Sequence, residues 1–240
     1  MKRKGLFITF EGPDGSGKSL QVQRLAQVLR GQGKRVVETR EPGGSPIAEE
    51  IRKILVTGDK EKMDKITECL LFAAARSDHL RQTVWPAVQQ GKIVISDRFM
   101  DSTYAYQGAG YQSNATKRAE LHAYINKLHW GLMKDFKPDL TILLDLPVQI
   151  GLERSKKRPG NNEQRFEDQD IAFHERLRLE YLKRAHREPK RFIVVNANQT
   201  IEKVSEEIMN KMAERGFFLK IQQADMENVV CKRKRSSPLR

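Results

Sequence analysis

The fold is decided by one stretch of the chain, Gly12-Pro13-Asp14-Gly15-Ser16-Gly17-Lys18-Ser19, which fits the pattern G-x-x-x-x-G-K-[ST]. The stretch follows a short apolar run at residues 6–10, and the residues after it show apolar side chains at helical spacing. A strand before the glycines and a helix after them is the context in which this pattern binds phosphate. The alternative, a glycine-rich turn with a chance Lys-Ser, is disfavoured by that context.

Phosphate binding explains most of the residue types in this stretch. The glycines let the backbone curl so that its N–H groups and the following helix N-terminus face phosphate oxygens, and we expect all eight residues to bind nucleotide. Lys18 would reach the β- and γ-phosphates, and the Ser19 hydroxyl would ligate Mg²⁺. Asp14 is unfavourable beside phosphate unless it contacts a cation or a sugar hydroxyl. Its other interpretation is an Asx turn that stabilises the loop.

The rest of the chain predicts one α/β domain. Five short apolar runs are typical of strands buried on both faces: residues 6–10, 35–39, 93–96, 140–144 and 192–195. Helical patterns lie between them: one after the glycine-rich stretch, one beginning at Ser45-Pro46, and further ones at residues 67–84, 117–134, 171–187 and 201–212. Alternating strands and helices predict a parallel sheet with helices on both faces. A length of 240 residues fits a single domain.

Composition excludes several classes of protein. Hydrophobic residues make up 38% and charged residues 31% of the chain, which is typical of a globular domain and not of a disordered one. No apolar run approaches the roughly 18 residues of a membrane span, and the run after the basic N-terminus is too short for a signal peptide. The two cysteines, Cys69 and Cys231, have no metal-binding spacing and suit a reducing cytoplasm.

The net charge of +13 predicts an anionic partner such as a nucleotide, a nucleic acid or a membrane surface. The charge is partly local, because five Lys or Arg residues lie within residues 232–240 and four more at Arg154, Lys156, Lys157 and Arg158. No continuous basic stripe is interleaved with aromatic residues, so a nucleic-acid partner is disfavoured. A nucleic-acid-binding ATPase stays open as an alternative.

Polar residues at the ends of two other strands predict a second binding site. Asp97 and Arg98 follow the third strand, and ligands of such sheets bind beyond the carboxyl ends of strands. Arg98 would bridge two phosphates, and Asp97 would hold Mg²⁺ through water; a structural ion pair is the alternative. Arg40, after the second strand, would contact a substrate phosphate. Glu41 would accept a hydrogen bond from Arg98, or the segment is merely a turn.

Phe72 and Arg76 are four residues apart on a predicted helix and share a face. A ring that stacks on a base, with a guanidinium beyond it that donates to a base carbonyl, needs about that spacing. The other interpretation places Phe72 in the core and Arg76 in solvent, and composition does not decide between the two.

Taken together, the segments resemble the thymidylate kinase family, whose members phosphorylate dTMP. The match runs in order and spacing over residues 5–215. It is carried by residues 10–19, by Thr39-Arg40-Glu41-Pro42-Gly43-Gly44, by Leu71-Phe72-Ala73-Ala74-Ala75-Arg76, by Asp97-Arg98, and by Ser102-Thr103-Tyr104-Ala105-Tyr106-Gln107-Gly108. The glycine-rich stretch is common to many families, whereas the later segments are far more specific.

The resemblance implies a P-loop nucleoside monophosphate kinase fold, with ATP and Mg²⁺ as cofactors and dTMP as substrate. It implies that Asp14 contacts the nucleoside 3′-hydroxyl and a phosphate-binding arginine. Phe72 would stack on thymine and Arg76 would donate to its O4. Arg40 and Arg98 would surround the dTMP phosphate, with Arg98 also reaching toward the γ-phosphate. Ser102 and Gln107 would line the base and sugar.

The resemblance also implies a mobile lid over ATP at about residues 153–167. One branch of the family has an arginine directly after the acid of the glycine-rich loop, where this chain has Gly15. The chain therefore resembles the bacterial-type branch, whose catalytic arginines come from the lid; Arg154 and Arg158 are the candidates, and Arg165 lies in the same stretch. Ala197, after the last strand, lies in a segment similar to the family's adenine-binding loop.

The domain assignment that follows is a kinase domain at residues 1–219 and a solvated, disordered basic extension at residues 220–240. The family is usually a homodimer. Another pyrimidine nucleoside monophosphate kinase is the main alternative, since Phe72 and Arg76 favour a pyrimidine with O4 without demanding the thymine methyl group.

Overall fold

The structure, a computed structural model, describes residues 4–59, 62–110, 114–157, 165–166 and 169–217. Within these ranges the chain forms one parallel sheet of five strands in the order β2-β3-β1-β4-β5. The strands are β1 (Leu6–Glu11), β2 (Val36–Arg40), β3 (Ile93–Asp97), β4 (Leu140–Asp145) and β5 (Phe192–Asn196). The predicted five-stranded parallel sheet is confirmed, and every predicted strand end lies within one residue of the observed one.

Helices connect the strands on both faces of the sheet. The α-helices are α1 (Lys18–Gly31), α2 (Pro46–Val56), α3 (Lys65–His79), α4 (Trp85–Gln89), α5 (Met100–Thr103), α6 (Ala115–Met133), α7 (Val148–Lys156), α8 (Ile171–Arg187) and α9 (Ile201–Glu214). Two π-helical segments, Leu80–Val84 and Tyr104–Gly110, join α3 to α4 and follow α5. The predicted continuous helix at residues 67–84 is therefore α3 followed by a π-helical turn.

Three apolar clusters hold the layers together. Helices α1 and α9 pack on one face of the sheet, where Leu29 and Met212 meet Ile8 and Ile142. Helices α3, α4 and α6 cover the other face. The third cluster lies between α8 and the second π-helix. Each fully buried Leu or Ile side chain contributes about 1.5–3 kcal/mol.

The prediction that all five strands are buried on both faces is wrong for β2. Its residues are only half-buried or exposed, because β2 lies at the edge of the sheet and pairs with β3 alone. The apolar residues of α2 are also divided: Leu55 is fully buried, whereas Ile47 and Ile54 are more than half exposed. The periodicity shows which residues share a face of α2 but not how much of that face the domain covers.

Three helical regions had no counterpart in the sequence prediction: the short α4, α5 with the π-helix that follows it, and α7. Helix α5 and the following π-helix carry two glycines and two tyrosines, and α7 is short and contains Gly151. None of these segments has the long apolar stripe that marks an amphipathic helix. No helix among the described residues is long and apolar enough to cross a membrane.

The sheet brings the predicted site residues to one edge. Because the strands are parallel, Phe10 of β1 pairs with Asp97 of β3, and Arg40 of β2 pairs with Asp97 on its other side. The loops that follow these strands therefore leave the sheet at the same end. Residues 158–164 and 167 of the expected lid and the predicted extension at residues 220–240 lie outside the described residues, and their assignment stays a prediction.

Candidate active site

A cavity of about 520 Å³ opens at the carboxyl edge of the sheet. Its walls come from the loops after β1, β2 and β3, from α3 and from the second π-helix. Among the lining residues are Asp14, Lys18, Ser19, Arg40, Glu41, Phe72, Arg76, Asp97, Arg98, Ser102 and Gln107. The structure thus brings together both groups of predicted residues, those of the glycine-rich loop and those of the second site.

The glycine-rich loop is shaped by close backbone contacts. Gly15 has φ +76°, and a β-carbon built on it would lie 2.1 Å from the carbonyl oxygen of Gly151 in α7. Gly17 has φ +87° and directly precedes Lys18, where α1 begins. The N-terminus of α1 therefore opens into the cavity, as the phosphate-binding pattern requires.

Lys18 is the buried cation of this loop. Its Nζ donates to the carbonyl of Pro13 at 2.8 Å and lies 3.5 Å from Ser16 Oγ. Burial, together with the charge of Arg98, lowers the pKa of Lys18 from 10.5 to about 8. A phosphate group beside it would favour the charged form.

Ser19 and Asp97 meet at the mouth of the loop, where the Ser19 hydroxyl donates to a carboxylate oxygen of Asp97. Both supply hard oxygen atoms, which Mg²⁺ prefers, and Mg²⁺ is commonly bound by one or two carboxylates plus substrate phosphates. No cluster of three or more metal-binding side chains occurs among the described residues. The pair fits a nucleotide-bound Mg²⁺ and not a metal caged by protein ligands alone.

Arg98 occupies the centre of the cavity wall. It is a non-glycine residue with φ +70°, a strained conformation that persists only where neighbouring bonds fix it. Its Nη1 donates to Gly12 O at 3.0 Å and to the hydroxyls of Ser102 and Tyr181 at 3.1 Å. A phosphate oxygen is a stronger acceptor than either hydroxyl and would replace them.

Asp14 is the charge partner of Arg98. The Nη2 of Arg98 donates to Asp14 Oδ1 at 2.5 Å and to the Tyr106 hydroxyl at 2.7 Å, and Tyr106 in turn donates to Asp14 Oδ2 at 2.7 Å. Burial by itself would raise the pKa of Asp14, but the charges of Arg98 and Lys18 hold it well below its usual range. The carboxylate is thus tied to cations and a phenol, which is the condition under which an acid is tolerated beside phosphate.

Beneath this pair lies a buried carboxyl that the sequence analysis did not single out. Glu11 accepts from the Phe99 N–H at 2.8 Å, from the Ser102 hydroxyl at 2.6 Å and from the Tyr181 hydroxyl at 3.2 Å. Burial, reinforced by the charge of Asp101, raises the pKa of Glu11 from 4.5 to about 7. Glu11 therefore supports the residues that hold Arg98 and does not itself line the cavity.

The predicted bond between Arg98 and Glu41 is wrong. Glu41 instead accepts from Arg76 Nε at 2.7 Å and shares a 2.9 Å hydrogen bond with His79 Nδ1. The cause is geometric: Arg98 turns toward the loop after β1, whereas Glu41 faces α3. His79 also bonds Thr39, so α3 is tied to the end of β2.

Arg76 is buried, which excludes the interpretation that placed it in solvent. Its Nη1 donates to His129 Nε2 at 2.9 Å and its Nη2 to Thr103 Oγ1 at 3.0 Å. Burial, with the charges of Arg76 and Arg184, holds the pKa of His129 well below its usual range, so the imidazole is neutral and accepts. Of the five N–H groups of Arg76, three are thus used within the described part of the chain.

Phe72 and Phe166 form the apolar side of the cavity, with ring centroids 6.3 Å apart. Phe166 also meets the edge of Tyr106 at 5.5 Å. Phe72 is only partly buried and lines the cavity, so it does not belong to the sealed core. A flat ring of base size would find an aromatic face here.

Gln107 and Glu68 form a buried pair at the same end of the cavity. Gln107 Nε2 donates to Glu68 Oε1 at 2.7 Å, and Glu68 Oε2 pairs with Arg165 Nη2. Arg165, from the stretch expected to form the lid, is fully buried and also donates to Leu55 O at 3.0 Å. It therefore braces α2 and α3 here and does not face the glycine-rich loop.

The remaining predicted residues lie at the rim or beyond it. Arg40 is half-exposed and paired with Glu49 at 2.8 Å. Arg154 Nη1 donates to the carbonyl of Ala197 at 3.0 Å, which joins α7 to the loop after β5, but neither residue lines the cavity. Arg158 lies outside the described residues. Arg52, which no motif singled out, lines the cavity and donates to Pro42 O at 2.6 Å.

Comparison of the sequence with known proteins identifies the family to which the chain belongs. A sequence profile described as thymidylate kinase matches residues 10–208. The chain belongs to the thymidylate kinase family. It is 44% identical to a thymidylate kinase of Magnetococcus marinus over 214 residues, which covers 89% of this chain and 98% of that one. It is 48% identical to a thymidylate kinase of Afipia carboxidovorans over 213 residues, which covers 88% and 90% of the two chains.

A solved structure agrees with this assignment. The crystal structure of a thymidylate kinase from Ehrlichia chaffeensis matches with a TM-score of 0.69 and 32% identity, over 87% of this chain and 98% of that one. The predicted fold of a P-loop nucleoside monophosphate kinase is therefore confirmed. The relatives named here are bacterial, as the comparison of the glycine-rich loop with the two branches of the thymidylate kinase family predicted.

The structure gives a physical reason for Gly15, the residue on which that branch assignment rests. No side chain fits at this position because the backbone of Gly151 lies against it. An arginine at position 15 would have to displace α7. Position 15 therefore contributes no positively charged side chain to the glycine-rich loop of this chain.

Sequence reasoning missed the residues that act through tertiary contacts. Glu11, Glu68, Tyr106, His129 and Tyr181 all bond predicted site residues, yet none belongs to a spacing pattern with chemical meaning. Glu11 and Tyr106 lie within segments that carried the resemblance to thymidylate kinases, and that was the one signal that pointed to them.

Proposed function

We propose that the chain transfers the γ-phosphoryl group of ATP to dTMP, giving dTDP and ADP. The observation that carries the proposal is that one cavity holds both a phosphate-binding loop, with Lys18 buried beside it, and an aromatic wall with a buried guanidinium, Phe72 and Arg76. The phosphate-binding loop suits a nucleoside triphosphate. The aromatic wall, with Arg76 beside it, suits a pyrimidine base with a carbonyl at C4.

The acceptor needs no general base. A 5′-monophosphate is largely dianionic at pH 7, because its second pKa is about 6, and one of its oxygens attacks the γ-phosphorus while the bond to the β-phosphate oxygen breaks. Catalysis then consists of holding the two phosphates in line and neutralising their charge. Lys18, which is buried, and Arg98, which is partly buried, both line the cavity and are the cations that we assign to this task.

The two carboxylates near these cations have different tasks. Asp14 orients Arg98 through the 2.5 Å bond and is our candidate for the contact with the sugar 3′-hydroxyl. Asp97, with the Ser19 hydroxyl, would hold Mg²⁺. When bound, Mg²⁺ supplies positive charge to the phosphate oxygens.

The lid arginines complete the proposed site. Arg154 already contacts the loop after β5 through Ala197 O, and we assign that loop to the adenine of ATP. We keep Arg154 and Arg158 as the candidate catalytic arginines. Closure of the lid would exclude water, which would otherwise accept the phosphoryl group.

We propose that the protein is a homodimer that buries α2, α3 and α6. These helices pack side by side and carry large exposed apolar residues: Ile47, Ile54, Ile66, Leu70 and Trp130. Large exposed apolar patches on a folded domain mark interaction surfaces. We also keep the cytoplasm as the proposed compartment, since Cys69 is a buried free thiol.

The proposal is tested by a coupled assay of ADP release with ATP and Mg²⁺, comparing dTMP, dUMP, UMP, CMP and no acceptor. Turnover that requires dTMP supports the proposal. The ratio of the rates with dTMP and dUMP then measures the contribution of the thymine methyl group. Turnover with another pyrimidine monophosphate alone would keep the mechanism and change the substrate. ADP release without any acceptor dependence would overturn the proposal.

A further inference from the structure

We propose that Glu68 is a positioning residue that makes the site selective for a pyrimidine with an N–H donor at N3, by fixing the side-chain amide of Gln107. The inference rests on the proposed function and concerns the base-binding end of the same cavity. Neither Glu68 nor its pairing carries a signal in the sequence, and Glu68 itself does not line the cavity.

Only one of the two polar side-chain atoms of Gln107 has a hydrogen-bond partner among the described residues. The side chain is 1% exposed and lines the cavity. Its Nε2 donates to Glu68 Oε1 at 2.7 Å, whereas its Oε1 is buried and has no hydrogen-bond partner among the described residues. A buried acceptor without a partner costs about 1–3 kcal/mol. A ligand that donates to this oxygen would recover that free energy.

The second observation is that Glu68 can only accept. Its carboxylate is fully buried, and its other oxygen pairs with Arg165, which is itself held by Leu55 O. The orientation of a glutamine amide follows from its hydrogen-bond network, and a carboxylate accepts from the NH₂ end and repels the oxygen end. Glu68 therefore holds Gln107 in one of two possible orientations, with the oxygen left for the ligand.

The chemistry of pyrimidines gives this orientation a consequence. Thymine and uracil carry an N–H at N3, which would donate to Gln107 Oε1. Cytosine carries a bare nitrogen at N3, whose lone pair would oppose that oxygen. Sites built to bond a specific donor reject analogues that lack it much more strongly than apolar pockets reject an extra methyl group. Rejection of cytosine at N3 would thus depend on a residue outside the cavity, in addition to the contact that we assign to Arg76 at C4.

The test is E68Q, which keeps size and burial but lets the amides at positions 68 and 107 pair in either orientation. We expect kcat/KM for dTMP relative to dCMP to fall by roughly 10-fold or more, mainly through KM for the two nucleotides. A purely structural role for Glu68 would lower turnover of both substrates together, and an unchanged ratio would overturn the proposal. Glu180→Gln, at another buried glutamate outside the cavity, is the matched control and should leave the ratio unchanged.

The double variant E68Q/Q107E exchanges the two groups. The new carboxylate at position 107 would accept from the new amide at position 68 and still offer an oxygen to the ligand. We expect this exchange to restore the preference for dTMP over dCMP relative to E68Q. Failure to restore it in a folded double variant would count against the proposal.

A measurement on the unmodified chain covers the case in which E68Q does not fold. The side-chain amide of Gln107, labelled with ¹⁵N and assigned by its loss in Q107L, should show one strongly downfield, slowly exchanging proton bound to the carboxylate. An amide signal like that of an exposed glutamine would overturn the proposal. This readout needs no catalysis, so it separates failure of the inference from failure of the proposed kinase activity, which the unmodified chain reports with dTMP.

Discussion

Arg76 Nε donates to Glu41 Oε2 at 2.7 Å, and the two side chains are 2% and 3% exposed. Burial by itself would raise the pKa of Glu41, but the charge of Arg76 and the hydrogen bond from His79 lower it below 4.5. The pair joins the loop after β2 to α3. It holds the guanidinium that we assign to the base, so its loss should affect both stability and substrate affinity.

We expect Glu41→Gln to destabilise the fold by about 3 kcal/mol at pH 7, because it leaves the charge of Arg76 buried without its partner. Since the folded pKa of Glu41 lies below the unfolded value of 4.5, the stability from this carboxylate is present above pH 4.5 and lost as pH falls. The difference from the unmodified chain should therefore shrink at pH 4, as measured by urea unfolding. Glu49→Gln, at a surface pair, should cost under about 1 kcal/mol; equal costs would contradict the prediction.

Glu11 should make the protein less stable as pH rises. The folded chain keeps the Glu11 proton up to about pH 7, whereas the unfolded chain releases it near 4.5, so the free energy of unfolding falls across this window by up to about 3 kcal/mol. Glu11→Gln removes the titration, and its Oε1 can still accept from Phe99. We expect the variant to gain stability relative to the unmodified chain between pH 5 and pH 8. Parallel stability curves for the two chains would refute this.

The pH profile of the reaction should report Lys18. Because its pKa in the free protein is about 8, kcat/KM for ATP should fall above that pH as the cation is lost. Bound phosphate favours the charged form, so kcat itself should stay level to higher pH. Steady-state kinetics between pH 6.5 and 9.5 with saturating acceptor measure both quantities, and a level kcat/KM up to pH 9.5 would show that Lys18 is not titrating there.

Arg98→Ala should lower kcat by about 10³-fold while the fold survives, because it removes the partly buried cation that we assign to both phosphates. Circular dichroism checks the fold, and the ADP-release assay gives the rate. Arg178→Ala removes an arginine paired with Asp145 outside the cavity and serves as the control. Near-normal turnover in the Arg98 variant would exclude the assigned role.

The proposed dimer can be tested with two exposed apolar residues of similar exposure. Ile54 in α2 is 51% exposed and Leu179 in α8 is 52% exposed. We expect Ile54→Glu to shift sedimentation equilibrium toward the monomer, because it places a charge in the buried interface, and Leu179→Glu to leave the mass unchanged. A monomeric unmodified chain, or a dimer indifferent to Ile54→Glu, would refute the assigned surface.

The sequence predicted the sheet well because the signals for buried parallel strands are local. Four of the five apolar runs are continuous and buried, and each is bounded by turn or charged residues. The sequence also placed Lys18, Ser19, Asp97 and Arg98 at one edge, since parallel strands end at the same side. It failed for β2, whose exposure depends on which strand lies at the edge of the sheet.

Some features of the site were likewise set by local sequence, and others only by tertiary structure. By itself the sequence determined the glycine-rich loop and the strand end with Arg98, and it marked Phe72 and Arg76 as candidates because they share a helix face. Only the tertiary structure decided which charges meet. Arg98 bonds Asp14 across 84 residues, and Arg165 bonds Glu68 across 97. Such partners depend on how helices pack on the sheet, and packing leaves no periodic trace in a single sequence.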